Sequence, residues 1–238
     1  MSENAISLMF SGGVDSTTAA IKLSEEYGKV HLLTYRNGYG HFFLGNSKKR
    51  AKELINKFGN KFVHNLIPIE DLFKKMVLDT LQEDYRELGS GFIWCLGCKI
   101  SMHTRSIIYN LEHNIKFMAD GSSQDSDEMV EQMAISVSLI SLFYERYGIK
   151  FLVPVYKQTR EEKITKLEEL KFKMGIRIKD RFLGIQPRCI PGELYYLPYL
   201  LFNKALEHEK PLVTQYIKKK KEIADRYIEE YFKHGKVL

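Results

Sequence analysis

No stretch of this sequence is apolar for long enough to cross a membrane. The longest apolar run, residues 149–155, is interrupted by Lys150 and Pro154, whereas a spanning helix needs about 20 mostly apolar residues. The N-terminus shows no basic segment followed by an apolar stretch and a cleavage site. We therefore expect a cytoplasmic location and no membrane partner. The 238 residues, 44% of them hydrophobic, suffice for one sizeable buried core.

Cysteine is scarce, and its three residues are not scattered. Cys95 and Cys98 form a C-x-x-C pair just before a predicted helix, and Cys189 lies in the segment 184–192. So few cysteines in a cytosolic chain argue against a disulfide framework. Three thiolates could bind zinc with a fourth ligand such as His103, form a dithiol or persulfide pair, or hold three irons of a cluster. They could also be unrelated reduced cysteines.

The sequence has neither an internal repeat nor a low-complexity tract, and its net charge is +6 with a pI of about 9.0. A basic balance suits a polyanionic partner, but it also suits a protein that binds nothing larger than ATP. Four consecutive lysines, 218–221, lie in a helical pattern and are followed by Glu222 and Asp225. We interpret them as a solvated helix face rather than as an RNA contact.

A glycine-rich turn at residues 11–16 contains no lysine, which excludes the Walker A loop of ordinary kinases and GTPases. The turn closes an apolar, strand-like run and opens a helical one. Adjacent glycines let backbone N–H groups approach an anion, and the helix adds its positive dipole end. The predicted phosphate ligands are Ser11, Gly12, Gly13, Ser16 and Thr17. A tight turn without a ligand is the alternative for a bare glycine pair.

Short apolar runs alternate with helix-compatible segments along the chain, which predicts a doubly wound, parallel five-stranded sheet with a C-terminal helical extension. The segment 175–198 reads as a loop-rich connection. We expect an ATP-binding domain at 1–156 and a C-terminal region at 157–238. Predicted strands are 6–10, 30–36, 61–67, 115–119 and 150–155; predicted helices are 16–27, 47–58, 70–84, 99–112, 127–147, 160–174, 199–207 and 211–232.

Two other loops fall at the carboxyl ends of predicted strands, where open α/β sheets bind ligands. Thr34 and Tyr35 could hold adenine and ribose, although a surface loop explains them equally well. Gly121, Ser122, Ser123 and Asp125 could approach phosphate or Mg²⁺, and Ser126 or Asp127 could cap the next helix. Arg160 and Lys163 are basic candidates near the end of the fifth strand.

Residues 11–16, Ser-Gly-Gly-Val-Asp-Ser, resemble the signature of the PP-loop ATP pyrophosphatases. The resemblance implies an adenine nucleotide alpha hydrolase-like fold and an enzyme that cleaves ATP to AMP and pyrophosphate. In that reading Asp15 and Ser16 are catalytic, with Asp15 binding Mg²⁺ or fixing the loop.

The cysteine spacing resembles the tRNA-thiolating branch of the same superfamily. That branch has a C-x-x-C pair and a single cysteine roughly ninety residues later, and Cys98 and Cys189 are 91 positions apart. The resemblance implies that Cys95, Cys98 and Cys189 hold a [4Fe–4S] cluster, with zinc as the alternative. Cys98 and Cys189 could instead carry and resolve a persulfide. A Cys-x-x-Cys-Lys segment, here 95–99, is also similar to enzymes that insert sulfur into small molecules.

The resulting hypothesis is an adenylating sulfur transferase that uses ATP, Mg²⁺ and a sulfur donor. A tRNA base is the expected acceptor and a small molecule the alternative, because residues 185–192 match no named subfamily. The expected assembly is a dimer. A competing hypothesis keeps the ATP chemistry in an amide-forming ligase with a structural zinc, and a third is a nucleotide-binding module without turnover.

Overall fold

A parallel sheet forms the centre of the computed structural model, which describes residues 4–126, 128–178, 181–183, 186–202 and 206–235. In 176–178, 181–183, 199 and 200 it describes the backbone only. Asp127, a predicted cap, lies outside the described residues. The strands are β1 (Ala5–Met9), β2 (Lys29–Arg36), β3 (His41–Phe42), β4 (Phe62–Pro68), β5 (Phe117–Ala119), β6 (Lys150–Leu152), β7 (Ile176–Ile178), β8 (Arg181–Leu183) and β9 (Arg188–Cys189).

The described helices lie on both faces of the sheet and in the C-terminal part of the chain. They are α1 (Val14–Glu26), α2 (Gly45–Phe58), α3 (Glu70–Phe73), α4 (Leu81–Leu88), α5 (Phe92–Glu112), α6 (Ala134–Glu145), α7 (Arg160–Glu169), α8 (Ile190–Tyr195), α9 (Leu197–Phe202) and α10 (Lys210–His234). A π-helical turn, Lys74–Leu78, separates α3 from α4. None of these described helices combines the length and the apolar composition that a membrane span needs.

Five strands make one sheet in the order β4-β2-β1-β5-β6, and every pair is parallel. The central strands read as apolar runs because both faces of the sheet are covered. One face packs against α1, α2 and α7, and the other packs against α5 and α6, on which α10 lies. All five predicted strands are present, so the predicted doubly wound sheet with a C-terminal helix is confirmed.

The strand order reverses direction at β1, which has β2 on one side and β5 on the other. Such a switch point leaves a crevice outside the carboxyl ends of the two strands, and ligands of open α/β sheets bind there. The glycine-rich turn follows β1 directly and therefore opens into this crevice.

Several predicted boundaries are wrong. Helix α5 begins at Phe92 rather than at residue 99, so the C-x-x-C pair lies inside the helix and not before it. The predicted helix 70–84 is broken by the π-helical turn, and the one at 127–147 becomes regular only at Ala134. The segment predicted as loop-rich contains the antiparallel pair β7–β8, strand β9 and helix α8.

The lysine run in α10 is only partly solvated, because Lys218 alone of the four is exposed. Lys220 is fully buried, and its Nζ lies 2.6 Å from the buried carboxylate of Asp84 on α4. Lys219 bridges Glu83 and Glu87 of the same helix at 2.8 and 3.0 Å. These ion pairs attach α10 to α4, so neither lysine is free to contact RNA phosphates. The prediction failed because the acidic partners lie far away in the sequence.

Candidate active site

The glycine-rich turn is ordered by its own serines. Gly12 has a φ of 81°, a conformation that glycine adopts without strain. Its N–H donates to Ser16 Oγ at 3.1 Å, and the Gly13 N–H donates to Ser11 Oγ at 3.2 Å. Gly13 precedes α1 in an extended conformation and offers no side-chain cap. The N-terminus of α1 therefore keeps backbone donors and a positive dipole end for an anion.

A second predicted loop packs directly on this turn. A Cβ atom on Gly121 would lie 2.8 Å from Ser16 N, so only glycine permits the approach. Thr17 is buried in the first turn of α1, and its hydroxyl has no hydrogen-bond partner among the described residues. The structure thus brings the loops at 11–17 and 120–123 together at the switch point.

Lys163 places a buried positive charge beside the glycine-rich turn. Its Nζ lies 2.7 Å from Asp15 Oδ1 and donates to Ser123 Oγ at 2.6 Å. Helix α7 holds this lysine in place through a capping box of Thr159 and Glu162 at its start. One lysine thus joins residues from all three segments that surround the crevice.

Asp125, a predicted phosphate or Mg²⁺ ligand, contacts the same helix start. Its Oδ2 accepts a hydrogen bond from the Arg160 N–H at 2.6 Å. Asp15 uses one carboxylate oxygen for Lys163. Each carboxylate therefore has one engaged oxygen and one further oxygen that a hard cation such as Mg²⁺ accepts as a ligand.

Asp120, at the end of β5, anchors the other side of the crevice. Its carboxylate lies 2.8 Å from Lys99 Nζ on α5 and accepts hydrogen bonds from both the N–H and the hydroxyl of Ser122. Burial alone raises the pKa of Asp120, but the positive charge of Lys99 and the hydrogen bonds from Lys99 and Ser122 outweigh burial, and the pKa is lowered. Asp120 is thus a buried anion, and the hydroxyl of Ser122, a predicted phosphate ligand, points to it.

His103 does not serve as a ligand partner of the cysteines. Its Nδ1 bonds the Tyr144 hydroxyl at 2.9 Å, and its Nε2 lies 3.9 Å from Asp120 Oδ2. Burial lowers the pKa of His103 to about 3, so the ring is neutral at physiological pH. The sequence-based suggestion of His103 as a fourth zinc ligand is therefore wrong.

The side chains of Thr34 and Tyr35 are used within the core. Thr34 Oγ1 donates to the Phe10 carbonyl at 2.6 Å, and the Tyr35 hydroxyl shares a 2.6 Å hydrogen bond with Ser106. Both residues are almost fully buried. These hydrogen bonds favour a structural role for both side chains. The predicted contact of this loop with adenine or ribose would therefore be made by its backbone.

The three cysteines converge although they lie far apart in the sequence. Cys95 and Cys98 occupy the first two turns of α5, and Cys189 lies in β9, which pairs antiparallel with β3 so that His41 faces Cys189. His41 Nε2 is 3.9 Å from Cys98 Sγ. The sulfurs of Cys95 and Cys189 both lie within 4 Å of the point that a Cβ atom on Gly192 would take.

Burial raises the pKa of all three thiols, to about 12 for Cys98, and the negative charge of Glu131 raises each of them further. The thiols are therefore protonated unless a cationic group binds them, because a metal displaces thiol protons. No group of three His, Cys, Asp or Glu side chains in the described part of the chain is arranged to hold a single metal ion. Cysteine thiolates are the usual ligands of iron–sulfur clusters and are also ligands of zinc, so the donor type of these residues suits either group.

The glycine-rich turn and the thiols lie at the same rim of the sheet. Asn37, which follows β2, donates from Nδ2 to Cys98 Sγ at 3.4 Å, while Lys99 contacts Asp120 after β5. Because β1 lies between these two strands, its glycine-rich turn opens between the two contacts. Gln186, three residues before Cys189, places its side-chain amide directly against Gly13.

The fold occurs in solved structures of tRNA-thiolating enzymes. A 4-thiouridine synthetase, solved as an RNA complex with bound ATP, matches with a TM-score of 0.55 and 12% sequence identity. The match covers 97% of this chain and 54% of that chain, so this chain spans about half the length of the synthetase. The U34-tRNA thiolase NcsA from Methanococcus maripaludis, solved with its [4Fe-4S] cluster, matches with a TM-score of 0.51 and 13% identity, over 94% of this chain and 74% of that one.

These likenesses establish the fold. The chain has the adenine nucleotide alpha hydrolase-like fold that its glycine-rich turn predicted, and it shares that fold with the PP-loop enzymes that thiolate tRNA. No family model matches the sequence, and no curated protein matches it either.

Four residues of the site have contacts that the sequence-based prediction did not assign to them, although Asn37 lay in the loop expected to hold adenine and ribose and Asp120 in the loop whose carboxylates were expected to hold Mg²⁺. Asn37 and His41 contact Cys98, and Lys99 pairs with Asp120. Asp120 had the clearest signal, because it directly follows a predicted strand. Lys99 directly follows Cys98, but its partner could not be identified without the three-dimensional arrangement.

Proposed function

We propose that this protein is an ATP-dependent sulfur transferase that adenylates a carbonyl of a tRNA base and replaces the oxygen with sulfur. The observation that carries the proposal is the shared rim: the glycine-rich anion site opens between the Asn37–Cys98 and Lys99–Asp120 contacts, and the three thiols lie at the same rim. Adenylation and sulfur transfer must act on the same carbon in succession, so one crevice has to serve both.

The first half-reaction is assigned to the glycine-rich turn. The N–H groups of α1 and the hydroxyls of Ser11, Ser16 and Thr17 bind the phosphates of ATP. The buried ammonium of Lys163 stabilises charge that develops on them, because fixed donors in a dry site need no reorganisation. Asp15 holds Lys163 in position and, with Asp125, offers an oxygen to Mg²⁺. The substrate oxygen attacks the α phosphorus, and the bond to pyrophosphate breaks.

The second half-reaction belongs to the cysteines. Cys95, Cys98 and Cys189 would hold the iron–sulfur cluster, and the N-terminal dipole of α5 favours the thiolate form of Cys95. When bound by three thiolates, such a cluster supplies one coordination position for an inorganic sulfur ligand. A sulfur nucleophile from an external donor adds to the activated carbon, and AMP leaves with the former carbonyl oxygen. Asn37 orients the thiolate of Cys98 through its amide N–H.

The choice of tRNA as the acceptor rests on two supports. Both solved neighbours act on RNA according to their descriptions, one as an RNA complex and the other as a tRNA thiolase. The chain also carries a net charge of +6, which favours a polyanionic substrate.

Anaerobic purification followed by metal analysis and nucleoside mass spectrometry tests the proposal. The protein should contain iron and sulfide, release pyrophosphate from ATP in the presence of tRNA, and add sulfur to one nucleoside of tRNA from a deletion strain. The Asp15→Asn variant should lose pyrophosphate release and keep its iron. One zinc per chain without iron, together with amide formation on a small molecule, would instead identify a ligase.

A further inference from the structure

Helix α2 presents a basic face that no part of the described chain covers. Lys48, Lys49 and Lys52 are exposed, and none of them forms an ion pair with a described residue. The single acidic residue of α2, Glu53, is bound to Arg50 at 2.6 Å and does not neutralise them. This face contrasts with Lys219 and Lys220 of α10, which are held in ion pairs.

The basic face continues onto the turn after α7. Lys57 Nζ lies 5.3 Å from the centre of the Phe172 ring, and Arg50 donates to the Lys173 carbonyl at 2.6 Å. These contacts hold the turn against α2. Because Lys171 and Lys173 are both exposed, the turn adds two positive charges to the same surface.

The position of α2 links this surface to the candidate active site. Arg50 Nε donates to the Gly12 carbonyl of the glycine-rich turn at 3.4 Å. Only residues 43 and 44 separate α2 from β3, the strand that pairs with the Cys189 segment. Lys48 and Lys57 are nine residues apart in α2, about 13 Å along its axis, so its lysines can contact a short stretch of an extended strand.

Phe43 stands at the end of this helix nearest the thiols. Its side chain is 63% exposed, and its φ of 56° is unusual for a bulky residue. The ring lies 4.8 Å from that of Phe42 in β3. An exposed ring beside a row of lysines matches the way proteins hold unpaired nucleotides, with a base stacked on the aromatic ring and phosphates on the basic groups.

We propose that the exposed lysines of α2 and Phe43 bind the RNA strand next to the nucleotide that enters the crevice. This inference rests on the proposed function for the identity of the substrate. The lysines contact phosphates without sequence preference, and Phe43 stacks on a base. A row of phosphates fits the surface better than a membrane does, because Phe43 is the single exposed apolar side chain between β3 and Lys52.

Binding of bulk tRNA measured by fluorescence anisotropy over a range of salt concentrations tests the surface. The triple variant Lys48→Gln, Lys49→Gln and Lys52→Gln should bind about tenfold or more weakly at 0.1 M salt, and its slope of log affinity against log salt should fall by about 2 to 3. The control variant Lys116→Gln, Lys150→Gln and Lys218→Gln removes the same charge from exposed lysines elsewhere. It should keep both the affinity and the slope.

The Phe43→Leu variant separates stacking from charge. It should weaken binding of a short oligouridylate about fivefold or more and leave the salt slope unchanged. ATP binding and iron content should match the wild type in every variant, which shows that each one is folded.

Three outcomes would refute the proposed RNA-binding surface. They are an equal loss of tRNA affinity in the two triple variants, unchanged tRNA affinity in the α2 variant, and preferential binding of the wild type to vesicles of anionic lipid. These outcomes differ from failure of the proposed function. Lysine-dependent tRNA binding without any thiolation would support the surface and refute the sulfur transfer. Thiolation by the wild type together with unchanged tRNA binding by the α2 variant would support the sulfur transfer and refute the surface.

Discussion

Replacing Asp15 with asparagine should destabilise the protein through the lysine it leaves behind. Lys163 is 1% exposed and lies 2.7 Å from the Asp15 carboxylate, so the variant retains a buried ammonium whose nearest remaining partner is a serine hydroxyl. Removing one partner of a buried ion pair costs about 3 to 5 kcal/mol. Because Asp15 is 30% exposed and solvent screens this pair in part, we expect a loss of about 2 to 3 kcal/mol in the free energy of unfolding.

The partner variant gives the diagnostic comparison. Lys163→Met removes the buried charge and leaves a carboxylate that water can reach, so it should lose only about 1 kcal/mol. The double variant should then be more stable than Asp15→Asn alone, since no unpaired charge remains. Urea unfolding of the four proteins measures this coupling. Lys166→Met, an exposed lysine on the same helix, is the control and should change stability by less than about 0.5 kcal/mol. Additive losses in the double variant would refute the proposed pairing.

Three further predictions concern the two loops and the thiols. Gly121→Ala should lower the rate of pyrophosphate release about a hundredfold, because its Cβ meets the backbone of Ser16. The control Gly28→Ala, whose Cβ meets only ordinary contacts, should keep the rate. Equal rates for the two variants in steady-state assays would count against the close approach of the loops. Cys189→Ala should lose most of its iron by metal analysis and keep pyrophosphate release; retained iron would show that this thiol is not a ligand. The metal-free protein should lose stability as pH rises from about 9 towards about 12, because the unfolded chain ionises Cys98 first while the folded one keeps it protonated. Cys98→Ala should flatten that decline in urea titrations, and an unchanged slope would contradict the burial of this thiol.

The central sheet could be predicted from the sequence because its signals are local. Buried parallel strands are continuous apolar runs, as at β1 and β2, and a glycine pair marks the turn that follows β1. These two features identify the switch point, and the nucleotide side of the candidate site follows from them.

The arrangement of the three cysteines depends on contacts between distant parts of the chain, which no local sequence pattern predicts. Strands β3 and β9 are two residues each, too short for an alternation, and they come from opposite ends of the chain. Helix α5 begins after Gly91 without a side-chain cap, so its true start was missed by seven residues. Lys220 looked like a surface lysine because its partner Asp84 lies on a different helix.

The antiparallel pairing of His41 with Cys189 also sets an order of events during maturation. A ribosome completes the whole parallel sheet before it synthesises Cys189, so the crevice at the glycine-rich turn can form on a chain that still lacks one of the three proposed cluster ligands. The proposed cluster would therefore gain its full set of cysteine ligands only after residue 189 has been translated.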